Sequence, residues 1–439
     1  MSKVGFISLG CAKNLVDTEV MLAKLAMAGY EITPECEDSD VVIINTCAFI
    51  ESAKQESIDT IIDIGWLKEH HKLKGIVVCG CMAERYGEEI KKELSEVDCI
   101  VGLGSIDEIV EAVKKAEKGE TFYSFKDKER SELGGDRIIT TGTTAYLKIA
   151  EGCDNRCTYC AIPLIRGKMR SRPIEDIVKE ARELEALGVK ELCIVAQDTS
   201  RYGLDLYGEY KLAELVREIT KSTQIPWLRL LYLYPDKITD ELVEEMRTNP
   251  RVVKYADIPI QHISDNVLKR MGRHGGSAVI KDAIKRLRTI DGITLRTTVM
   301  VGFPGETDED FDELCKFVKE TKFDRLGAFT YSPEEDTEAA TFDGEIDEQT
   351  KQDRYDAIMQ IQLDISAARN RRLVGRKMRV LCESYDIPAE AYVGRSEADA
   401  PDVDGKVFFF SDKKINEGQF VTVKITEAED YDLIGEACR

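Results

Sequence analysis

Between residues 140 and 340 the chain alternates apolar, strand-like runs with helical patterns, and six such units leave few folds open. The runs fall at 145–150, 192–197, 228–234, 255–260, 294–302 and 326–331, with helical stretches such as 174–187, 239–247 and 308–319 between them. A strand-helix alternation of this kind predicts an α/β fold with a parallel sheet covered by helices. Six units predict a partial (βα)6 barrel. Barrels of parallel strands carry their chemistry at the C-terminal face. There the sequence places Cys153, Gln197, Pro235, Gln261, His262 and the turn Gly302-Phe303-Pro304-Gly305-Glu306. Residues 1–130 repeat the alternation and predict an open parallel α/β sheet, residues 345–372 a connecting helix. Residues 373–439 read as short strands separated by Gly, Asp and Pro, a small all-β barrel of a kind that often binds nucleic acid.

The 439 residues contain thirteen cysteines and no export signal, which argues for reduced thiols and metal ligation rather than a disulfide framework. Cys153, Cys157 and Cys160 form a CxxxCxxC run directly after the first barrel strand. A structural zinc site is closed by four protein ligands, whereas an iron-sulfur cluster held by three thiolates leaves one iron free. The alternatives are a zinc knuckle or a chance trio of buried thiols. Three strands of the first module also lead to cysteines: 4–10 to Cys11, 41–46 to Cys47 and 75–80 to Cys79 and Cys81. Ligands of open parallel sheets bind beyond the carboxyl ends of the strands, so these thiols converge as a second three-thiolate site. Spacing barely separates Cys79 from Cys81, and Cys81 is preferred because it falls at the strand end. Cys36, Cys99, Cys193, Cys315, Cys382 and Cys438 read as packing residues.

No apolar run approaches the length of a membrane span, so a cytoplasmic protein without membrane contact is expected. The net charge of −21 would repel a phosphate-rich partner outside a local basic patch. One basic cluster, Arg156, Arg166, Lys168, Arg170 and Arg172, lies on the cysteine loop and offers an anchor for a carboxylate. His262 and His274 read as core or hydrogen-bonding residues. The glycines of the 302–306 turn expose backbone for close approach of a ligand.

Taken together, Ser8-Leu9-Gly10-Cys11, Asn45-Thr46-Cys47, Gly80-Cys81, Glu151-Gly152-Cys153 through Cys160 and Val301 through Thr307 resemble the radical S-adenosylmethionine (SAM) methylthiotransferases. The resemblance implies an N-terminal domain holding one 4Fe-4S cluster on Cys11, Cys47 and Cys81. It implies a radical SAM barrel holding another on Cys153, Cys157 and Cys160, and a C-terminal TRAM domain. SAM is its natural second cofactor, with Gln197, Gln261, Gly302 and Gly305 as candidate contacts, and a flavodoxin or ferredoxin is the implied electron donor. The segments 11–17, 47–50 and 197–200 resemble the branch that methylthiolates the β-carbon of an aspartate in ribosomal protein S12 of the 30S subunit. The alternative is the branches that modify adenosines of transfer RNA, or a non-catalytic iron-sulfur electron carrier. Residues 373–439 hold nine Lys and Arg against fourteen Asp and Glu, an acidic surface suited to a basic protein rather than to RNA. Glu397, Asp399, Asp402 and Asp404 are the expected substrate-binding acids.

Overall fold

The computed structural model describes residues 2–130 and 133–438. Within them, the first module is one parallel sheet of β1 (Lys3–Ser8), β2 (Glu31–Thr33), β3 (Val41–Thr46), β4 (Gly75–Gly80), β5 (Cys99–Val101) and β6 (Phe122–Ser124). The strand order is β2-β1-β3-β4-β5-β6, connected through α1 (Ala12–Met27), α2 (Glu51–His70), α3 (Cys81–Glu93) and α4 (Ile109–Ala116). β3 and β4 are buried at every position, which accounts for the apolar runs 41–44 and 76–79 within them. The order reverses between β1 and β3, so the ligand crevice of such a sheet opens beyond the carboxyl ends of these strands.

In the second module β7 (Thr144–Lys148) leads into a clip of β8 (Ala150–Glu151) and β9 (Arg170–Ser171) that brackets the cysteine loop and α5 (Ile162–Arg166). The barrel continues with α6 (Ile174–Ala186), β10 (Glu191–Val195), α7 (Leu204–Tyr207), α8 (Leu212–Ser222), β11 (Trp227–Leu230) and α9 (Asp240–Thr248). It closes its run with β12 (Val252–Asp257), α10 (Asp265–Arg270), α11 (Gly276–Leu287), β13 (Thr294–Val301), α12 (Asp308–Thr321) and β14 (Arg325–Thr330). The six long strands are parallel, ordered β14-β13-β12-β11-β10-β7. Helix α12 starts on a reciprocal cap, Thr307 accepting from the Asp310 amide and Asp310 from the Thr307 amide.

Helix α13 (Glu348–Arg371) does more than connect, because it packs on β14 and α12 and buries Lys351 and Arg354 against the barrel. The chain ends in a closed barrel of β15 (Lys377–Asp386), β16 (Ala391–Ser396), β17 (Val407–Phe410), β18 (Phe420–Ala428) and β19 (Leu433–Ala437). Part of its 396–404 segment lies against the parallel sheet, which corrects Asp399 and Asp404 as surface acids, while Asp402 is exposed and Glu397 half-buried. Asp399 is buried against Arg325, and Asp404 accepts from the Tyr255 hydroxyl at 2.6 Å and faces Arg296 at 3.7 Å. Asp402 accepts from the Tyr146 hydroxyl at 3.1 Å, and the Glu397 carbonyl accepts from Arg229 at 2.9 Å. The physical reason is charge balance: the parallel strands carry arginines on the face this segment covers, and a buried cation needs a partner. Asp399 and Asp404 serve docking of the last domain onto the barrel.

Candidate functional site

Cys11 follows β1, Cys47 follows β3 and Cys81 opens α3, and the structure brings the three thiols within each other's electrostatic reach. The loops cross so tightly that a β-carbon at Gly10 would stand 3.0 Å from Cys47 Sγ. Asn14 pins the strand ends by donating to the carbonyls of Leu9 at 2.6 Å and Thr46 at 3.2 Å. The Ser57 hydroxyl holds the Cys47 backbone, accepting from its amide and donating to its carbonyl. Cys79 stands apart: it packs in the core with Sγ 3.8 Å from Met21 Sδ. Burial pushes the Cys81 thiol up to about 12. The surrounding protein also opposes ionisation of Cys11 although its side chain is exposed, but the charges of Lys13 and Arg166 outweigh it and hold that thiol below its ordinary value.

Cys153, Cys157 and Cys160 converge at the C-terminal end of the second sheet, also within each other's electrostatic reach. Burial raises the thiols of Cys153, to about 12, and Cys160. Tyr234 places its hydroxyl 3.3 Å from Cys157 Sγ, and the Arg273 guanidinium stacks 3.9 Å over the Tyr234 ring. Buried thiols of this kind give up their protons when a metal takes the proton's place. Among the described residues no three His, Cys, Asp or Glu side chains are arranged to hold a single metal ion. Both trios instead suit a cluster, whose thiolates bind different irons.

A buried ionic network joins the two sites. Lys148 at the end of β7 binds Asp17 of α1, and Glu151 at 2.7 Å. Arg166 of α5 reaches the same pair, 2.8 Å from Glu151 and 3.2 Å from Asp17. Burial alone would raise the Glu151 carboxyl, but Arg166 and Lys148 hold it well below the carboxylate range. Beside the network lies a cavity of about 470 Å3 between the modules, lined by Val16, Lys24, Gly104, Lys148, Glu151 and Arg170 among others. A second clamp, Glu334 between Arg85 at 3.2 Å and Lys54 at 3.4 Å, holds the first module over the barrel mouth.

The expected cofactor contacts divide. Gln197 donates to Glu151 at 2.7 Å and leaves its Oε1 buried without a hydrogen-bond partner, ready for a donor from a ligand. Gln261 follows β12, the next strand but one, and sits half-buried in a left-handed conformation, bridging backbone to β13. Gly302 and Gly305 have close side-chain neighbours of their own. A β-carbon at 302 would meet Lys351 Cγ at 2.3 Å, and one at 305 the Arg270 guanidinium at 3.0 Å. These glycines make room for neighbouring side chains, and the turn is closed by Glu306, which accepts from the amides of Gly302 and Phe303. Of the basic cluster, Arg166 and Arg172 are buried in ion pairs, while Arg156 and Lys168 are exposed. His262 is fully buried, and burial lowers it to about 4, so it is neutral.

Glu306 carries a pH prediction. Burial pushes its carboxyl up to about 7, although Arg354 and the two amides favour the charged form. Between about 4.3, the unfolded value, and about 7 the folded protein keeps a proton that the unfolded chain has released. Stability contributed by this group therefore falls as pH rises through that window. Glu306→Gln is expected to flatten the dependence of Tm on pH there, and an unchanged slope in thermal melts would refute the assignment.

Residues 147–318 match the Radical SAM superfamily, residues 3–102 the Uncharacterized protein family UPF0004, and residues 374–438 the TRAM domain. The chain is 49% identical over 438 residues to the ribosomal protein uS12 methylthiotransferase RimO of Thermoanaerobacter sp. (strain X514), covering 99% of this chain and 100% of that one. The chain belongs to the RimO family of radical SAM methylthiotransferases. The RimO of Caldicellulosiruptor saccharolyticus is likewise 49% identical, covering 99% of this chain and 100% of that one. Among solved structures, the radical SAM methyltransferase TsrM from Kitasatospora setae superposes with a TM-score of 0.54 at 15% identity, covering 75% of this chain and 73% of that one, a likeness of fold. Members of the RimO family use 4Fe-4S clusters and SAM, and the two thiol trios described above are donor sets of that kind.

Sequence reasoning missed Lys13, Lys148, Tyr234 and Arg273. Lys148 alone left a signal, a lysine inside an otherwise apolar strand.

Proposed function

We propose that this chain replaces a hydrogen on the β-carbon of an aspartate of small-subunit ribosomal protein S12 with a methylthio group. The observation that carries the reading is the identity of 49% across 99% of the chain with a protein of that name. Cys153, Cys157 and Cys160 hold one 4Fe-4S cluster, and Cys11, Cys47 and Cys81 hold the other. When bound with SAM, such a cluster supplies one-electron chemistry that makes a radical able to take hydrogen from unactivated carbon, which no side chain can do.

The protein's own residues bind, orient and exclude water. Glu151, held by Arg166 and Lys148, orients the Gln197 amide so that its free oxygen faces a ligand donor. Tyr234 and Arg273 supply a hydroxyl and a positive charge beside Cys157 and so tune the site. The clamp of Glu334 with Arg85 and Lys54 keeps the first module against the barrel mouth, limiting solvent. Electrons come from a donor of the flavodoxin or ferredoxin type. The reaction belongs in the cytoplasm with the ribosome, and no helix of the described residues is long and apolar enough to cross a membrane. The last domain contributes protein contact rather than RNA binding, in keeping with its excess of acidic residues.

The test is mass spectrometry of ribosomal proteins and of transfer RNA from cells lacking the gene. S12 is expected to be lighter than in wild type by the mass of one methylthio group less one hydrogen, restored by the wild-type gene. An unchanged S12 together with loss of a methylthio adenosine would move the chain to the RNA-modifying branch.

A further inference from the structure

We propose that Arg166, a residue of the radical SAM module, is the positioning residue that sets the reduction potential of the cluster in the other module. The proposal rests on the reading of Cys11, Cys47 and Cys81 as ligands of that cluster. Arg166 is the last residue of α5, six residues beyond Cys160, yet its Nη2 reaches 3.4 Å from Cys81 Sγ. The same nitrogen is 3.3 Å from Asn14 Oδ1, while Nη1 donates to Glu151 at 2.8 Å and Asp17 at 3.2 Å. The side chain is 2% exposed, so the charge acts without water to screen it.

Charge balance distinguishes this arrangement from a structural ion pair. Lys148 and Arg166 already match Asp17 and Glu151, two cations for two carboxylates. The Nη2 branch bonds no carboxylate. It is aimed at an amide oxygen and a sulfur, and the guanidinium fork is rigid enough to keep both aims at once. An N–H donor and a positive charge at a ligand sulfur favour the more negative, reduced cluster and raise its potential. Because Arg166 belongs to the helix that follows the Cys153–Cys160 loop, the potential of one cluster depends on docking of the module that holds the other.

The experiment is redox titration, followed by electron paramagnetic resonance, of anaerobically reconstituted full-length protein carrying Cys157→Ala, so that only the N-terminal cluster remains. Adding Arg166→Gln is expected to lower the reduced-to-oxidised ratio at the parent's midpoint at least tenfold, about 59 mV for a one-electron couple, with iron content unchanged. The potential of the other cluster, measured in a Cys47→Ala parent, is expected not to move. A merely structural role would change melting or iron content without this selective shift. Should the glutamine variant fail to fold, Arg166→Lys, which keeps the charge but loses the fork, is expected to shift the potential in the same direction by less. An unmoved potential in the variant that folds overturns the proposal. If Cys81→Ala keeps the N-terminal iron, the ligand reading itself fails and the proposal with it, so the two failures are told apart.

Discussion

Cys157→Ala is expected to abolish reductive cleavage of SAM and to remove half of the iron, whereas Cys47→Ala removes the other half and leaves SAM cleavage intact. The prediction follows from the placement of the trios at the strand ends of two different sheets, with no thiol shared between them. Each trio already lacks a fourth thiol, so losing one ligand leaves too few donors for a stable cluster. Iron content after anaerobic reconstitution and production of methionine from SAM are the two measurements. Cys79→Ala supplies the control, since that thiol packs against Met21 in the core, and it is expected to keep all the iron. Full iron in Cys47→Ala would remove the N-terminal assignment.

The order of strands and helices made the fold legible, because continuous apolar runs such as β3 have few uses outside a doubly covered sheet. The separation of Cys81 from Cys79 was less so. Two residues apart on a strand, they share a face by alternation. The strand ends at Gly80, however, whose φ of +91° turns the chain, and Cys81 is already the first residue of α3. Parity ceases to apply where the strand stops. The partners of charged strand residues were not legible at all. Lys148, Arg229, Arg296 and Arg325 announce a need for counter-charges, but Asp17, Glu191, Asp404 and Asp399 come from far along the chain, three of them from another domain. Composition counted Asp399 and Asp404 as available to a partner, whereas the arginines of the parallel sheet had claimed them. The neighbours of the glycines of the 302–306 turn were illegible for a similar reason: Lys351 and Arg270 approach Gly302 and Gly305 only through the tertiary fold.

Glu191→Ala is expected to destabilise the protein by about 3–5 kcal/mol, the usual cost of removing one member of a buried ionic group. Glu191 sits at the start of β10 between two guanidiniums, 2.7 Å from Arg229 and 2.6 Å from Arg395 of the last barrel, with all three side chains at most 2% exposed. Its loss leaves the buried Arg229 without its carboxylate and Arg395 with Glu383 alone, at 2.7 Å, one weakened cation on each side of the domain junction. Urea unfolding is the measurement, with proteolysis near residue 372 as a second readout, because the last barrel loses its tie to the parallel sheet. A triple variant with apolar residues of similar volume at 191, 229 and 395 is expected to recover much of the loss, since the one charge left without its partner is Glu383, which reaches solvent. Acidification tests the same group. Burial raises the Glu191 carboxyl, but Arg229 and Arg395 outweigh burial and hold it below its ordinary value. A depressed carboxylate contributes stability that is present above the unfolded value of about 4.3 and is lost as pH falls through the folded one. Wild type is therefore expected to lose stability steeply below that point, and Glu191→Gln, which has no proton to take up, to start lower and fall less. Equal acid slopes in the two proteins, or a Glu191→Ala protein as stable as wild type, would mean that the arginines find other partners and that this junction is held by its apolar contacts alone.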